Sequence, residues 1–102
     1  MKNVKTKAEE KQAYDWKETG RVIGFYRRSL HLSQDEIAER IGAGCNSTVS
    51  FWERGIKEPK ISNLVAVAEA LGVSETDLLH PSEEVKKWAN MYLQESQNTE
   101  TP

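Results

Sequence analysis

Ser33-Gln34-Asp35-Glu36-Ile37-Ala38-Glu39-Arg40-Ile41-Gly42-Ala43-Gly44-Cys45-Asn46-Ser47-Thr48-Val49-Ser50-Phe51-Trp52-Glu53-Arg54-Gly55 contains two short helical patterns separated by a glycine turn. Ser33 with Glu36 three residues on is a capping box, and the acidic first turn suits the positive end of a helix dipole. Ile37, Ala38 and Ile41 follow at helical spacing, which predicts a helix to about Ile41 with one apolar face. Gly42-Ala43-Gly44 ends it, because glycine accepts the positive φ that closes a helix. Cys45 or Asn46 opens the next helix. Val49 and Trp52 form its inner edge, Asn46, Ser47, Ser50, Phe51 and Arg54 point elsewhere, and Gly55 stops it. Where two helices cross steeply over a short turn, the residue at the crossing must be small, and Ala38 meets that need. The second helix is then presented outward.

The flanking sequence continues in helices. Asp15 with Glu18 caps a helix running to about Ser29, with Ile23, Tyr26 and Leu30 at helical spacing. Gly20 and Gly24 each cost about 1 kcal/mol relative to Ala, which moves the expected start toward Thr19. Ser62 caps a helix carrying Leu64, Val65, Val67, Ala68 and Leu71 and ended by Gly72. Ser74-Glu75-Thr76-Asp77 starts another, with Leu78 and Leu79, stopped by Pro81. Beyond it, Ser82-Glu83-Glu84 starts an amphipathic helix bearing Val85, Trp88, Ala89, Tyr92 and Leu93. The expected fold class is all-α. The expected organisation is a polar N-terminal extension over 1–14, a compact five-helix domain over 15–80, a C-terminal helix over 81–94 and a disordered tail over 95–102.

With 102 residues there is room for one small core. The formal net charge is -2, against the large basic excess needed to coat nucleic acid or an anionic membrane nonspecifically. No stretch approaches the roughly 18 apolar residues of a membrane span, and Lys2, Lys5 and Lys7 precede no apolar signal segment, so a cytoplasmic protein is expected. The single cysteine, Cys45, excludes an internal disulfide framework and a multi-cysteine zinc site. At a helix N-terminus its thiolate is favoured, which leaves a redox role beside the plainer reading as a small turn residue. His31 and His80 stand far apart in the chain, and no phosphate loop or nucleophile elbow occurs. The inventory predicts no enzyme, no cofactor and no metal.

The span from Gly20 to Leu79 resembles the phage repressor and Cro, or XRE-type, helix-turn-helix family. The likeness rests on Ile23 with Arg27, Leu32-Ser33-Gln34 with Ile37-Ala38, and Val49-Ser50 with Trp52-Glu53-Arg54-Gly55. It continues through Pro59, Leu64 and Ala68 to Ala70-Leu71-Gly72-Val73-Ser74 and Asp77-Leu78-Leu79. The turn from Gly42 to Val49 is one residue longer than the family's usual spacing. The resemblance implies a lambda-repressor-like domain that docks its third helix in a DNA major groove, usually as a symmetric dimer on a palindromic operator. Carried over, Gln34 holds a phosphate with its amide and backbone N–H turned outward, and Asn46 and Ser47 lead the reading helix. Thr48, Ser50 and Phe51 supply further contacts. Phe51 either meets thymine methyl groups or folds against Arg54. Arg54, Lys57 and Lys60 hold backbone phosphates, and His31 lies near the same face. Arg27 and Glu53 match an internal salt bridge.

These residues predict a small bacterial or phage transcriptional regulator, a repressor, whose partner is double-stranded DNA. The alternative is a protein-interaction module, an antitoxin or adaptor that grips a protein through its terminal extensions. Val85, Trp88, Tyr92 and Leu93 either form a homodimer interface or close over the domain's own core. The charge is unevenly divided: residues 1–32 carry eight basic and four acidic side chains, residues 63–102 two and seven.

Overall fold

The computed structural model describes residues 14–100, with side chains as far as Met91. Asp15 caps α1 (Trp16–Ser29), its carboxylate accepting from the backbone N–H of Lys17 and Glu18. The helix therefore starts at the acidic cap and not near Thr19, and the reason is tertiary. A Cβ on Gly20 would fall on the carbonyl oxygen of Trp52, far inside van der Waals contact, and one on Gly24 would lie 3.3 Å from the Glu53 carboxylate. Gly20 lets the backbone of another helix come close and Gly24 leaves room for the Glu53 side chain, which outweighs their low helix propensity.

Four helices follow in the expected order, and then a sixth. Ser33 and Glu36 form a complete capping box for α2 (Gln34–Ile41), and these hydrogen bonds hold the Glu36 carboxyl below its ordinary range. Gly42, at φ 72°, closes that helix, with the N–H of Ala43 reaching back to the carbonyl of Ala38. Gly44, at φ 90°, lengthens the turn before α3 (Asn46–Glu53). Next comes α4 (Ile61–Leu71), whose N-cap is Lys60 and not Ser62. Lys60 is extended after Pro59, and its carbonyl already accepts from the N–H of Leu64, so Ser62 falls inside the first turn. Ser74 and Asp77 box the start of α5 (Glu75–Leu79).

The Ser82 hydroxyl accepts from the N–H of Val85 at the start of α6 (Glu83–Glu100). This helix runs past residue 94, where the polar composition puts its end. Gln94 to Glu100 contains no Gly or Pro, and its Gln and Glu residues are good helix formers. The remaining terminal expectations, for residues 1–13 and for 101–102, lie outside the described residues.

The core joins α1 through Val22 and Ile23, α2 through Ile37 and Ala38, and α3 through Val49 and Trp52. Leu64, Val67, Ala68 and Leu71 of α4, Leu78 of α5 and Ala89 of α6 complete it. Central α1 touches α3, α4, α5 and α6, while α2 packs on α3 and α4. The buried Thr19 hydroxyl donates to the carbonyl of Leu78 at 2.8 Å, tying α1 to α5. Val85 and Ala89 turn α6 against this body, and Trp88 stacks on Phe25 with ring centroids 6.2 Å apart. The C-terminal helix thus closes over the chain's own core.

Gly20→Ala separates the two readings of that glycine by sign. Propensity alone predicts a gain of about 1 kcal/mol, whereas a methyl group forced against a backbone carbonyl predicts a loss of about 2 kcal/mol or more. Urea denaturation should report the loss.

Candidate nucleic-acid interface

On α3 the inner positions Val49, Trp52 and Glu53 are buried, and the outer edge begins with the exposed pair Asn46 and Ser47. Thr48, Ser50 and Phe51 are half-buried beside it. At 3.6 residues per turn, 49, 52 and 53 share one face and 47, 50 and 51 fall off it, while Asn46, in line with 49 and 53, is exposed at the first position of the helix.

Cys45 precedes this edge as the N-cap, in extended conformation. Its neutral thiol makes no cap hydrogen bond, but its sulfur lies 3.0 Å from the Ser47 hydroxyl. That hydroxyl, and after it the backbone N–H groups of Ser47 and Thr48, favour the thiolate and pull the thiol below its ordinary range. The residue is exposed.

At the far end of α3 a short segment carries three exposed cations, Arg54, Lys57 and Lys60. The Lys57 ammonium sits over the Phe51 ring, 5.4 Å from its centroid. Phe51 therefore supports Lys57, which restricts both groups, where the sequence left its partner open between thymine and Arg54. The Lys17 stem of α1 also reaches this segment, 3.5 Å from where a Cβ on Gly55 would be, while its ammonium sits over the Trp16 ring, 5.7 Å from the centroid. The sequence carries no signal of this contact, because residues 17 and 55 are far apart in the chain.

What orients α3 is a buried ion pair. The Arg27 guanidinium of α1 grips Glu53 in a fork, Nε to Oε2 at 2.6 Å and Nη2 to Oε1 at 2.9 Å, with both side chains almost wholly buried. Nη1 donates to the carbonyl of Leu32 at 2.8 Å, so the same guanidinium holds the connection between α1 and α2. Gln34 donates from Nε2 to Glu53 Oε1 at 3.0 Å. Its amide is thus turned at least partly inward, where the sequence placed it outward, because a buried carboxylate needs more donors than one guanidinium supplies. His31 is exposed at φ 60°, in the left-handed turn closing α1.

Val85 packs against the core, Trp88 is half-exposed, and the side chains of Tyr92 and Leu93 lie outside the described residues. Among the described residues no group of three or more His, Cys, Asp or Glu could hold a metal ion, and no helix is long and apolar enough to cross a membrane.

Residues 23–78, from Ile23 in the middle of α1 to Leu78 of α5, match the helix-turn-helix family HTH_3. The chain belongs to this XRE-type helix-turn-helix family. It is 38% identical over 58 residues to an uncharacterized HTH-type transcriptional regulator, y4dJ, of Sinorhizobium fredii, covering 57% of this chain and 74% of that one. Two solved structures are similar. The clp gene regulator ClgR from Corynebacterium glutamicum is 26% identical with a TM-score of 0.59, over 81% of this chain and 82% of that one. A chain of the SinR protein/SinI protein complex is 28% identical, also at 0.59, over 82% of each. In this family member Arg27 and Glu53 tie α1 to α3.

Arg27→Ala should leave the Glu53 carboxylate buried without its fork, at a cost of about 3 to 5 kcal/mol. A thermal midpoint equal to that of the unsubstituted chain would refute the structural role of the pair.

Proposed function

We propose that the chain is a sequence-specific transcriptional regulator, a repressor, that docks α3 in the major groove of a palindromic operator as a homodimer. The observation that carries this reading is the layout of α3: an exposed polar leading edge at Asn46 and Ser47, a buried ion pair behind it, and three exposed cations after it. Membership of a helix-turn-helix family and likeness to regulators support it. Asn46 takes the base-reading role, since its amide pairs in two directions with adenine N6 and N7. Ser47, Thr48, Ser50 and Phe51 line the same groove wall. Gln34, Arg54, Lys57 and Lys60 hold phosphates, which set register without reading sequence. Occupation of the operator excludes other proteins from it, and no enzymatic step is involved.

A randomised-duplex selection should return an inverted repeat with half-sites about one helical turn apart. Three cations per protomer predict a log-log salt slope of about -5 for the dimer. Asn46→Ala should relax base preference by about 1 to 3 kcal/mol, while Lys57→Ala weakens every sequence alike. The opposite pattern would overturn this division of labour.

A face for a protein partner is offered by Trp88 and Met91 on α6, each 47% exposed. The SinR protein/SinI protein complex is a relative with a partner protein bound. Here the simplest partner is a second copy meeting Trp88, with Tyr92 and Leu93 on the same helix. Val85, the fourth residue of that stripe, already packs against the chain's own core. Sedimentation should find a dimer at micromolar concentration. Trp88→Lys should sediment as a monomer with an unchanged helical circular dichroism spectrum, and a variant that still dimerises excludes this interface.

A further inference from the structure

We infer that Gln34 is a positioning residue that sets the angle at which α3 is presented, and so contributes to sequence discrimination without touching a base. This inference rests on the DNA-binding reading above. The helices α2 and α3 are joined covalently at one end, through residues 42–45. At the other end, the first residue of α2 and the last residue of α3 meet, where Gln34 Nε2 donates to Glu53 Oε1 at 3.0 Å. The helix pair is thereby closed at both ends.

Among the described residues no other side-chain hydrogen bond joins these two helices. Arg27 grips both Glu53 oxygens, but it belongs to α1, and Gly24 behind the carboxylate is on α1 as well. The ion pair therefore fastens α3 to α1, and apart from core packing by Ile37 and Ala38 the first turn of α2 meets that pair only through the Leu32 carbonyl upstream. The lever is short. An eight-residue helix is about 12 Å long, so a drift of 1 Å at the open end tilts one helix against the other by about 5°. Every side chain on the outer edge of α3 tilts with it, and base contacts tolerate misplacement of only about 0.5 Å.

Chemistry also suits glutamine at this position. Its amide has two N–H groups and Glu53 takes one, which leaves the second for a phosphate at the half-buried surface. A phosphate held there is linked through one side chain to the carboxylate at the end of the reading helix. Gln34 then joins backbone register to the attitude of α3.

The test uses the full chain and Gln34→Met, which keeps the length of the side chain and removes its donors. Two readouts are taken well below the thermal midpoints. In the DNA-free chain, amide chemical shifts should change along α3 as far as Asn46; changes confined to the immediate neighbours of Gln34 and Glu53 overturn the inference. For binding, fluorescence anisotropy compares the duplex returned by selection with a scrambled duplex of equal length. Gln34→Met should reduce the ratio of the two affinities by about tenfold, while Lys57→Ala lowers both and leaves the ratio unchanged. A Gln34→Met ratio equal to the unsubstituted value, whether both affinities fall together or only the thermal midpoint drops, overturns the positioning role alone. An unsubstituted chain that does not prefer the selected duplex overturns the DNA-binding reading, and the inference falls with it.

Discussion

The Glu53 carboxylate is removed from water at the junction of three helices, and much of the geometry of the domain follows from how it is satisfied. Taking two charges out of solvent costs several kcal/mol per ion, which only close geometry and further hydrogen bonds offset. Here the fork from Arg27, the amide of Gln34 and the Arg27 bond to the Leu32 carbonyl provide both. The pair is therefore best understood as a specifier of geometry: it contributes little net stability, yet losing one partner is costly. The half-buried Lys86, 3.3 Å from the exposed Glu83 and 4.0 Å from Glu18, is a useful contrast, because pairs open to solvent contribute about 0 to 1 kcal/mol. The same packing that encloses Glu53 requires glycine at 20 and close approach at 24.

Local chemistry was legible in the sequence and long-range chemistry was not. The caps at Ser33 and Ser74 and the stop at Gly42 are set by residues a few positions apart and are legible, whereas the cap at Asp15 competes with a start nearer Thr19 suggested by Gly20 and Gly24. The start of α4 was misplaced by two residues, because Ser62 is a good cap by type while the extended backbone at Lys60 depends on Pro59 before it. Gly20 read as a weak point in a helix, since nothing in its neighbours reveals the Trp52 carbonyl 32 positions away. The Arg27 and Glu53 pair was legible only by family likeness, and the third partner, Gln34, was assigned to phosphate alone. Phe51 was ambiguous for the same reason: its ring meets Lys57 through the turn after α3, which periodicity does not describe. His31 in a left-handed conformation had no signal, glycine being the usual residue there.

The net charge of -2 and the proposed DNA partner are compatible because the charges are segregated. Basic residues predominate before Ser33, and acidic ones after Ser62. With little bulk attraction to a polyanion, nonspecific affinity is low, and affinity has to come from a matched surface. That puts weight on the exact attitude of α3, and hence on the buried carboxylate behind it.

The helix starts divide into two kinds. Those of α1, α2, α5 and α6 are closed by their own side chains, Asp15, Ser33, Ser74 and Ser82. Those of α3 and α4, on either side of Arg54 and Lys57, have no side-chain cap. A cap contributes about 1 kcal/mol, so these two first turns are the ones that fray first, with the fastest amide exchange among the helix starts. Local stability at the helix starts should therefore be lowest at α3 and α4. Association at that face would order the loose turns, so its enthalpy should be favourable and partly offset by lost conformational entropy, as in coupled folding and binding.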